Sequence, residues 1–421
     1  VSIDSWKVWA KKNDCEVFIL DQWVYDKKVM NPNWHKLLVF DLLENSGIEY
    51  EQVLIVDSDT YIHPDAPNIF EETDNKFCAV HNDGSYDWVM RSMETYSKHV
   101  FEGYMFDWSE YFNSGVMVVN KEHKALFKEV LDFYLTNQEL VQGIQNNFGV
   151  GTDQPMINFF VQKNNVDLKL LSYKWNMQDL HRKEILREDM LFTKLGWVYH
   201  FNAIPVNSNS YKTWYWLEKT KLYFSDSPYV MTNKISVDMW MQFLSSLDEE
   251  LETWKPDRQA LSEEEYAEQM SEQCDGLSPP IFLVSKKDNQ VIASFLASYK
   301  AIGVSLELFE EDTYDGTVSF IHNYVVRKDY QKMGIAKKFL KMNMDFLTQV
   351  NSFFDKEGRP MTHFVDFRNM TRSDTYWPNR NIFHFARTHD YNDGSRNLCK
   401  SLGFEEIKVD NKFVYKLEHK F

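Results

Sequence analysis

The chain has 421 residues and a mass of 50.2 kDa, enough for two domains with separate cores, and a formal net charge of −17. Its 43% hydrophobic and 16% aromatic content excludes a disordered chain, and the acidic excess disfavours broad non-specific binding to nucleic acid or anionic lipid. The four cysteines stand far apart with no Cys-x-x-Cys pair, so neither a zinc knuckle nor a disulfide framework is expected.

Those cysteines suit a reducing compartment, no apolar run approaches a membrane span and no signal peptide is visible, so a cytoplasmic location is expected. In chain order, Ser5-Trp6-Lys7-Val8-Trp9-Ala10 reads as a helix and Cys15-Glu16-Val17-Phe18-Ile19-Leu20-Asp21 as a strand. The run Val53-Leu54-Ile55-Val56, apolar and mostly β-branched, reads as a buried strand that ends abruptly in Asp57-Ser58-Asp59. In open α/β sheets, ligands collect beyond the carboxyl ends of strands. Alternation along an extended backbone puts Asp57 and Asp59 on one side, where two hard oxygens suit a divalent cation that neutralises a diphosphate. Taken alone, the tripeptide equally describes a polar turn, because Asp and Ser favour turns.

Further ordered segments follow: Tyr111-Phe112-Asn113-Ser114-Gly115-Val116, then Gly151-Thr152-Asp153-Gln154-Pro155, then Trp175-Asn176, then His200-Phe201-Asn202. Together with Asp57-Ser58-Asp59 this series resembles the GT-A glycosyltransferases that use nucleotide-sugar donors, most closely the retaining family of the galactosyltransferase and glycogenin type. The resemblance covers roughly the first half of the chain and implies a Rossmann-like GT-A domain over residues 1–224, with its first strand missing from this numbering or replaced. It further implies Mn2+ or Mg2+ on the donor diphosphate, held by Asp57, Asp59 and His200. Asn113, Ser114, Asp153 and Gln154 would line the sugar site, with Asn113, Asp153 and Gln154 orienting the reacting hydroxyls, and Asn176 would join the substrate contacts. Trp175, Trp214 and Trp216 are candidates to stack on sugar rings, although core packing is the commoner fate of Trp. Two positions depart from the family pattern. Ala203 stands where a Gly usually follows the late His, and a basic residue with Trp occurs only at Lys212-Thr213-Trp214, which makes Lys212 the diphosphate candidate.

Ser225-Asp226-Ser227-Pro228 reads as a linker, and the alternation of helices and strands then restarts. Val237 to Leu244 reads as a helix, Ser262-Glu263-Glu264-Glu265 as a capping box opening an acidic helix, and Gly276 with Pro279-Pro280 as its stop. Ile281–Val284 and Val291–Leu296 flank Lys287-Asp288-Asn289 as a hairpin. The strand Val318 to Val326 then runs through a Gly-containing turn into an amphipathic helix, which leaves free N–H groups at the helix start, a ready site for phosphate oxygens. Gly334 lets backbone approach a ligand without an intervening Cβ, although a plain strand-to-helix turn would also explain one Gly.

With its flanks, Gln331-Lys332-Met333-Gly334-Ile335-Ala336 resembles the pyrophosphate loop of the GNAT acyltransferases, Arg/Gln-x-x-Gly-x-Gly/Ala, with Val326, Asp329 and Tyr330 as the lead-in. Asn392-Asp393-Gly394-Ser395 through Leu402-Gly403-Phe404 matches the family's second signature. The resemblance spans residues 228–421 and implies acetyl-CoA, or another acyl-CoA, bound at Val326 and Gln331 to Ala336. Cys399 stands where the family commonly has the Tyr that protonates the departing thiolate. His322 is a candidate base, weighed against the commoner satisfied histidine in a sheet.

The combined expectation is an α/β chain, a GT-A domain followed by a GNAT domain. It would move a sugar from a nucleotide-sugar donor to a glycan or other hydroxyl acceptor, and an acyl group from acyl-CoA to an amine or hydroxyl. The alternatives are an enzyme that places glycosyl and acyl groups on hypermodified bases of a viral nucleic acid, which the acidic balance counts against, and a non-catalytic glycan-binding scaffold.

Overall fold

A computed structural model of the chain describes residues 2–22, 24–26, 29–204, 213–232, 234–247, 281–300, 316–350, 381–389, 393–409 and 412–419. Lys212, the capping box at Ser262, Gly276, the Pro279-Pro280 stop and Asn392 lie outside the described residues, as do the side chains of Trp214 and His322. The architecture is mixed α/β, in two compact units. Of the described residues, the first holds those up to Ile204 with Trp216–Lys221, and the second holds Thr213–Tyr215 and those from Leu222 onward. That division falls inside α7 (Thr213–Phe224), a few residues before the expected linker.

The first unit opens with α1 (Ser2–Lys12), which buries Trp6 and Trp9. Residues 15–21, expected as a strand, have no ladder partner among the described residues and leave Val17, Phe18 and Leu20 exposed. Their apolar run had strand propensity, but propensity holds a strand only where a neighbouring backbone completes its hydrogen bonds. After α2 (Val39–Asn45), β1 (Gln52–Val56), β2 (Thr60–Ile62) and β3 (Phe77–His81) lead to α3 (Tyr86–His99) and β4 (Phe112–Asn120). Three helices follow, α4 (Lys124–Thr136), α5 (Gln138–Phe148) and α6 (Asp153–Lys163), then β5 (Leu168–Leu171) and β6 (Val198–His200).

The main sheet has the order β1-β4-β3-β5, with β4 antiparallel to both neighbours and β3 parallel to β5. All nine residues of β4 are buried. β1 is the edge of this sheet and only Ile55 in it is buried, so it is more open than its sequence suggests. On one side of the sheet Phe77, Phe112, Met117 and Val119 pack with Phe127, Tyr134, Ile157 and Phe160 of the helices. On the other, Cys78, Val80, Val116 and Val118 meet Trp6, Trp9 and Trp175. A separate ladder, β2 with β6, pairs Thr60 with His200.

In the second unit, β7 (Tyr229–Thr232), α8 (Val237–Ser245), β8 (Ile281–Ser285), β9 (Val291–Lys300) and β10 (Gly316–Val326) precede α9 (Ile335–Val350). Then come β11 (Asn381–His389), α10 (Asp393–Ser401), β12 (Glu405–Val409) and β13 (Lys412–His419). The sheet order is β12-β13-β11-β10-β9-β8-β7, antiparallel except for the β10–β11 pair. The hairpin at Lys287-Asp288-Asn289 forms as read, and the register of β10 shifts between His322 and Val325. Among the described residues no helix is long and apolar enough to cross a membrane.

Candidate functional site

Asp57 lies just past the end of β1, with its N–H bonded to Gly115 O on β4 at 2.9 Å. The backbone does not continue extended through Asp59 as the sequence suggests. It turns, closed by Thr60 N–H and Thr60 Oγ1 donating to Asp57 O, and Trp6 Nε1 donates in turn to that hydroxyl. The turn and the β2–β6 ladder bring His200 to the acidic pair, and Asp59 O accepts from Phe201 N–H at 2.9 Å. One ligand atom each from Asp57, Asp59 and His200 lies within 4.8 Å of the others.

A chain of amides fixes the imidazole. Asn176 Nδ2 donates to Asn113 Oδ1 at 2.9 Å, which turns Asn176 Oδ1 toward His200 Nδ1 at 3.0 Å. This assigns the neutral ring's proton to Nδ1 and leaves the Nε2 lone pair facing Asp59 Oδ1 at 3.1 Å. Among the described residues that buried oxygen has no partner besides His200. Two lone pairs so close require a proton or a cation between them. With two hard oxygens and an imidazole whose second nitrogen is held by an amide, the donor set fits Mn2+ or Mg2+. Without the ion, burial acts to lower the His200 pKa, but the Asp59 and Asp57 carboxylates outweigh it and the pKa is raised. Burial pushes Asp57 up against the opposing pull of Lys36, whereas His200 outweighs burial at Asp59 and lowers it.

The sequence reading missed Lys36. It follows Trp34 in a short 3-10 turn and gives no motif signal, yet its buried ammonium joins the separated segments. Its Nζ lies 2.8 Å from Asp57 Oδ1, 3.1 Å from Asp153 Oδ2 and 3.0 Å from Ser114 O. Burial opposes its charge, but the Asp153 and Asp57 carboxylates prevail and raise its pKa. Asp153, at the start of α6, also accepts from Ser114 Oγ at 2.9 Å and Thr152 Oγ1 at 2.8 Å. Lys36 outweighs burial there and holds the carboxyl below its ordinary range. Gln154 Oε1 accepts from Ser114 N–H at 3.3 Å, and its side chain also interacts with the buried Tyr111 hydroxyl.

Asn113, Ser114, Asp153, Gln154 and Asn176 are therefore gathered around the Asp57–Asp59–His200 triad, tied through Lys36. Gly115 at the centre has no room for a side chain, because an added Cβ would stand 2.3 Å from His200 Cε1 and 3.0 Å from Asp57 Oδ2. Trp175 does not line the site. It is buried among Ile62, Ile69 and Val198, and its indole N–H donates to Glu72, so it has no ring face for a sugar. Trp216 is likewise a core residue, edge-on to Phe192.

In the second unit, β10 enters the segment Arg327 to Gly334. Gln331 Nε2 donates to Val326 O at 3.0 Å, and Lys332 (φ 62°) and Gly334 (φ 77°) both adopt left-handed backbone. This alternation curves the chain into a nest of N–H groups. No N–H from Lys332 to Lys337 has a hydrogen-bond partner among the described residues, and Lys338 N–H is the first taken into the helix, by Gly334 O. A Cβ at Gly334 would meet open space, so the backbone angle is what calls for glycine here. Met333 is exposed, Ile335 is buried, and Val326 and Ala336 are half-buried.

Cys399 on α10 is buried with Leu340, Met344 and Phe404, and burial pushes its thiol up to about 12. Tyr324 of β10, which the sequence reading did not single out, packs against this cluster with its hydroxyl buried and without a hydrogen-bond partner among the described residues. Its ring lies 4.3 Å from that of Phe295. His322 sits in β10 opposite Leu296, at the start of the register shift.

A model of the GNAT acetyltransferase family matches residues 242–353. No curated protein gives a significant match. The chain is also similar to three solved acetyltransferases. For the ribosomal-protein-S5-alanine acetyltransferase of Vibrio fischeri, identity is 12%, with 47% of this chain and 95% of that one covered at TM-score 0.29. The ribosomal-protein-S18-alanine N-acetyltransferase of Escherichia coli has 13% identity, 46% and 93% coverage and TM-score 0.24. A GNAT-family acetyltransferase of Bacillus anthracis has 9% identity, 46% and 96% coverage and TM-score 0.28.

Proposed function

We propose a bifunctional transferase. The first unit would move a sugar from a nucleoside-diphosphate donor to a hydroxyl acceptor, and the second an acetyl group from acetyl-CoA to an amine or hydroxyl. The observation that carries the first activity is the convergence of Asp57, Asp59 and His200, with Asp59 Oδ1 3.1 Å from His200 Nε2. A divalent cation held by these three would act as a Lewis acid on the diphosphate leaving group. The protein's own part is orientation and charge. Lys36 supplies a fixed positive charge beside the triad, already tied to Asp57 and Asp153, so no reorganisation is needed when donor charge develops. Gln154, bonded to Ser114 N–H, is a candidate to hold a sugar hydroxyl. Asn113 Oδ1 is spent on Gly115 N–H and Asn176, which leaves its Nδ2 as the arm toward substrate.

The second activity is supported by the family match and by the nest of N–H groups before α9. These groups would accept the CoA pyrophosphate, with the helix dipole adding to the attraction.

Replacing Asp57 and Asp59 with Ala should abolish Mn2+-dependent turnover across a panel of nucleoside-diphosphate sugars, and unchanged turnover would remove the metal reading. Calorimetry with acetyl-CoA should give binding that Gly334→Glu abolishes. A wild-type protein that binds no acetyl-CoA would remove the second activity.

A further inference from the structure

Asp153 opens α6, yet that helix start carries no side-chain cap. Thr152 stands at the capping position with φ −94° and ψ −95°, but its hydroxyl donates to Asp153 Oδ1 at 2.8 Å instead. Asn33 Nδ2 donates to the same hydroxyl at 3.0 Å, from the 3-10 turn that also carries Lys36. A helix start without a cap frays unless something else holds the chain that enters it.

That hold comes from α3, one residue earlier. Gly151 N–H donates to Ser92 Oγ at 3.1 Å, and Gly151 O accepts from the Tyr96 hydroxyl at 2.6 Å. Gln145 Nε2 of α5 donates to the Tyr96 oxygen at 3.2 Å, which leaves the phenolic proton for Gly151. Trp88, Ser92 and Tyr96 follow one another at i, i+4 and i+8 and so share one stripe of the helix. Ser92 and Tyr96 are wholly buried, and both spend their hydroxyls on the backbone of this one glycine. Gly151 is also wedged, because an added Cβ would stand 2.9 Å from the Trp88 ring and 2.9 Å from the Pro155 ring.

We propose that α3 is the positioning element for Asp153: Ser92 and Tyr96, with Gln145 behind them, fix Gly151 and so set the Asp153 carboxylate against Lys36 and Ser114. The inference rests on the glycosyltransferase reading and deepens it by naming the residues through which Asp153 is held. Asp153 is not free to find its own place, since its carboxylate must meet Lys36 Nζ, Ser114 Oγ and Thr152 Oγ1 together. The metal ligands sit on other segments, past β1 and on β6, and none of the bonds to Gly151 involves them. Loosening Gly151 therefore shifts Asp153 while the cation site stays assembled. A misplacement of about 1 Å by a change away from the reacting atoms can cost up to about a hundredfold in rate.

The test uses the full chain with Mn2+ and a panel of nucleoside-diphosphate sugars, followed by donor turnover, together with crystal structures of the variants. Tyr96→Phe keeps the ring and removes only the hydroxyl, and Ser92→Ala removes the acceptor for Gly151 N–H. Each should lower kcat about tenfold, with donor KM and Mn2+ affinity within about twofold. A double-mutant cycle separates positioning from general destabilisation, because residues that act through one group are not additive. Tyr96→Phe should cost no further rate in a chain that already carries Asp153→Asn. An unaltered kcat in both single variants, or a full further loss on the Asp153→Asn background, would overturn the positioning role and leave the donor chemistry standing. A wild-type chain that turns over no donor removes the glycosyltransferase reading, and the variant structures then give the answer. Asp153 parted from Lys36 in Tyr96→Phe would keep the positioning role, and an unchanged pair would overturn it.

Discussion

Lys36 ties three separate segments of the first unit together, through Asp57, Ser114 and Asp153. Its ammonium is buried between Asp57 and Asp153, with Asp57 still partly in contact with water. Lys36→Met would leave two carboxylates close together without their counter-ion, and breaking such a pair costs about 3 kcal/mol, near the low end because water screens Asp57. Denaturant unfolding should read this loss, and Lys36→Arg should restore part of it. Gly115 makes a second residue-scale prediction. A methyl group there must displace His200 or Asp57, so Gly115→Ala should weaken Mn2+ binding by about tenfold or more in a calorimetric titration. Cys399 gives a third. A thiol pushed up to about 12 stays protonated at pH 8, where an ordinary one near 8.5 is partly ionised. Iodoacetamide at pH 8 should leave the Cys399 peptide unmodified in the native protein and modify it after denaturation.

At the scale of elements, α6 and β4 are joined by one side chain. Asn158 is wholly buried; its Oδ1 accepts from Phe112 N–H at 2.9 Å, and its Nδ2 donates to Phe112 O and Gln154 O, both at 2.9 Å. This clamp sets the start of β4, with Asn113 and Ser114, against the start of α6, with Asp153 and Gln154. Asn158→Ala would leave backbone groups of Phe112 buried without partners, at a cost of about 3 kcal/mol, measurable as a lower denaturation midpoint. The order of motifs was readable because each is short and local. The clamp was not, since an Asn inside a helix carries no sequence sign of the strand it will meet. The opposite failure occurred at residues 15–21, where a largely apolar run pairs with no backbone among the described residues and forms no strand.

At the scale of the whole molecule, two units carry separate cores, one around Phe77, Phe112 and Tyr134 and another around Trp240, Phe282 and Val284. Separate cores should melt separately. Mn2+ with a donor sugar should raise one thermal transition and acetyl-CoA the other, each by about 2.7 kcal/mol of stability at a hundredfold excess over Kd. A shift of both transitions by either ligand would contradict independent sites. The sequence alone determined the mixed α/β character and the acidic balance. It also placed the Gly turn before α9, because periodicity and turn chemistry are properties of neighbouring residues. The tertiary structure decided which of those residues act together. His200 meets Asp59 through the β2–β6 ladder, Lys36 reaches Asp153 across the interior, and Trp175 is drawn into the core. Such meetings depend on how the chain closes its long loops, and no local pattern of residues encodes that closure.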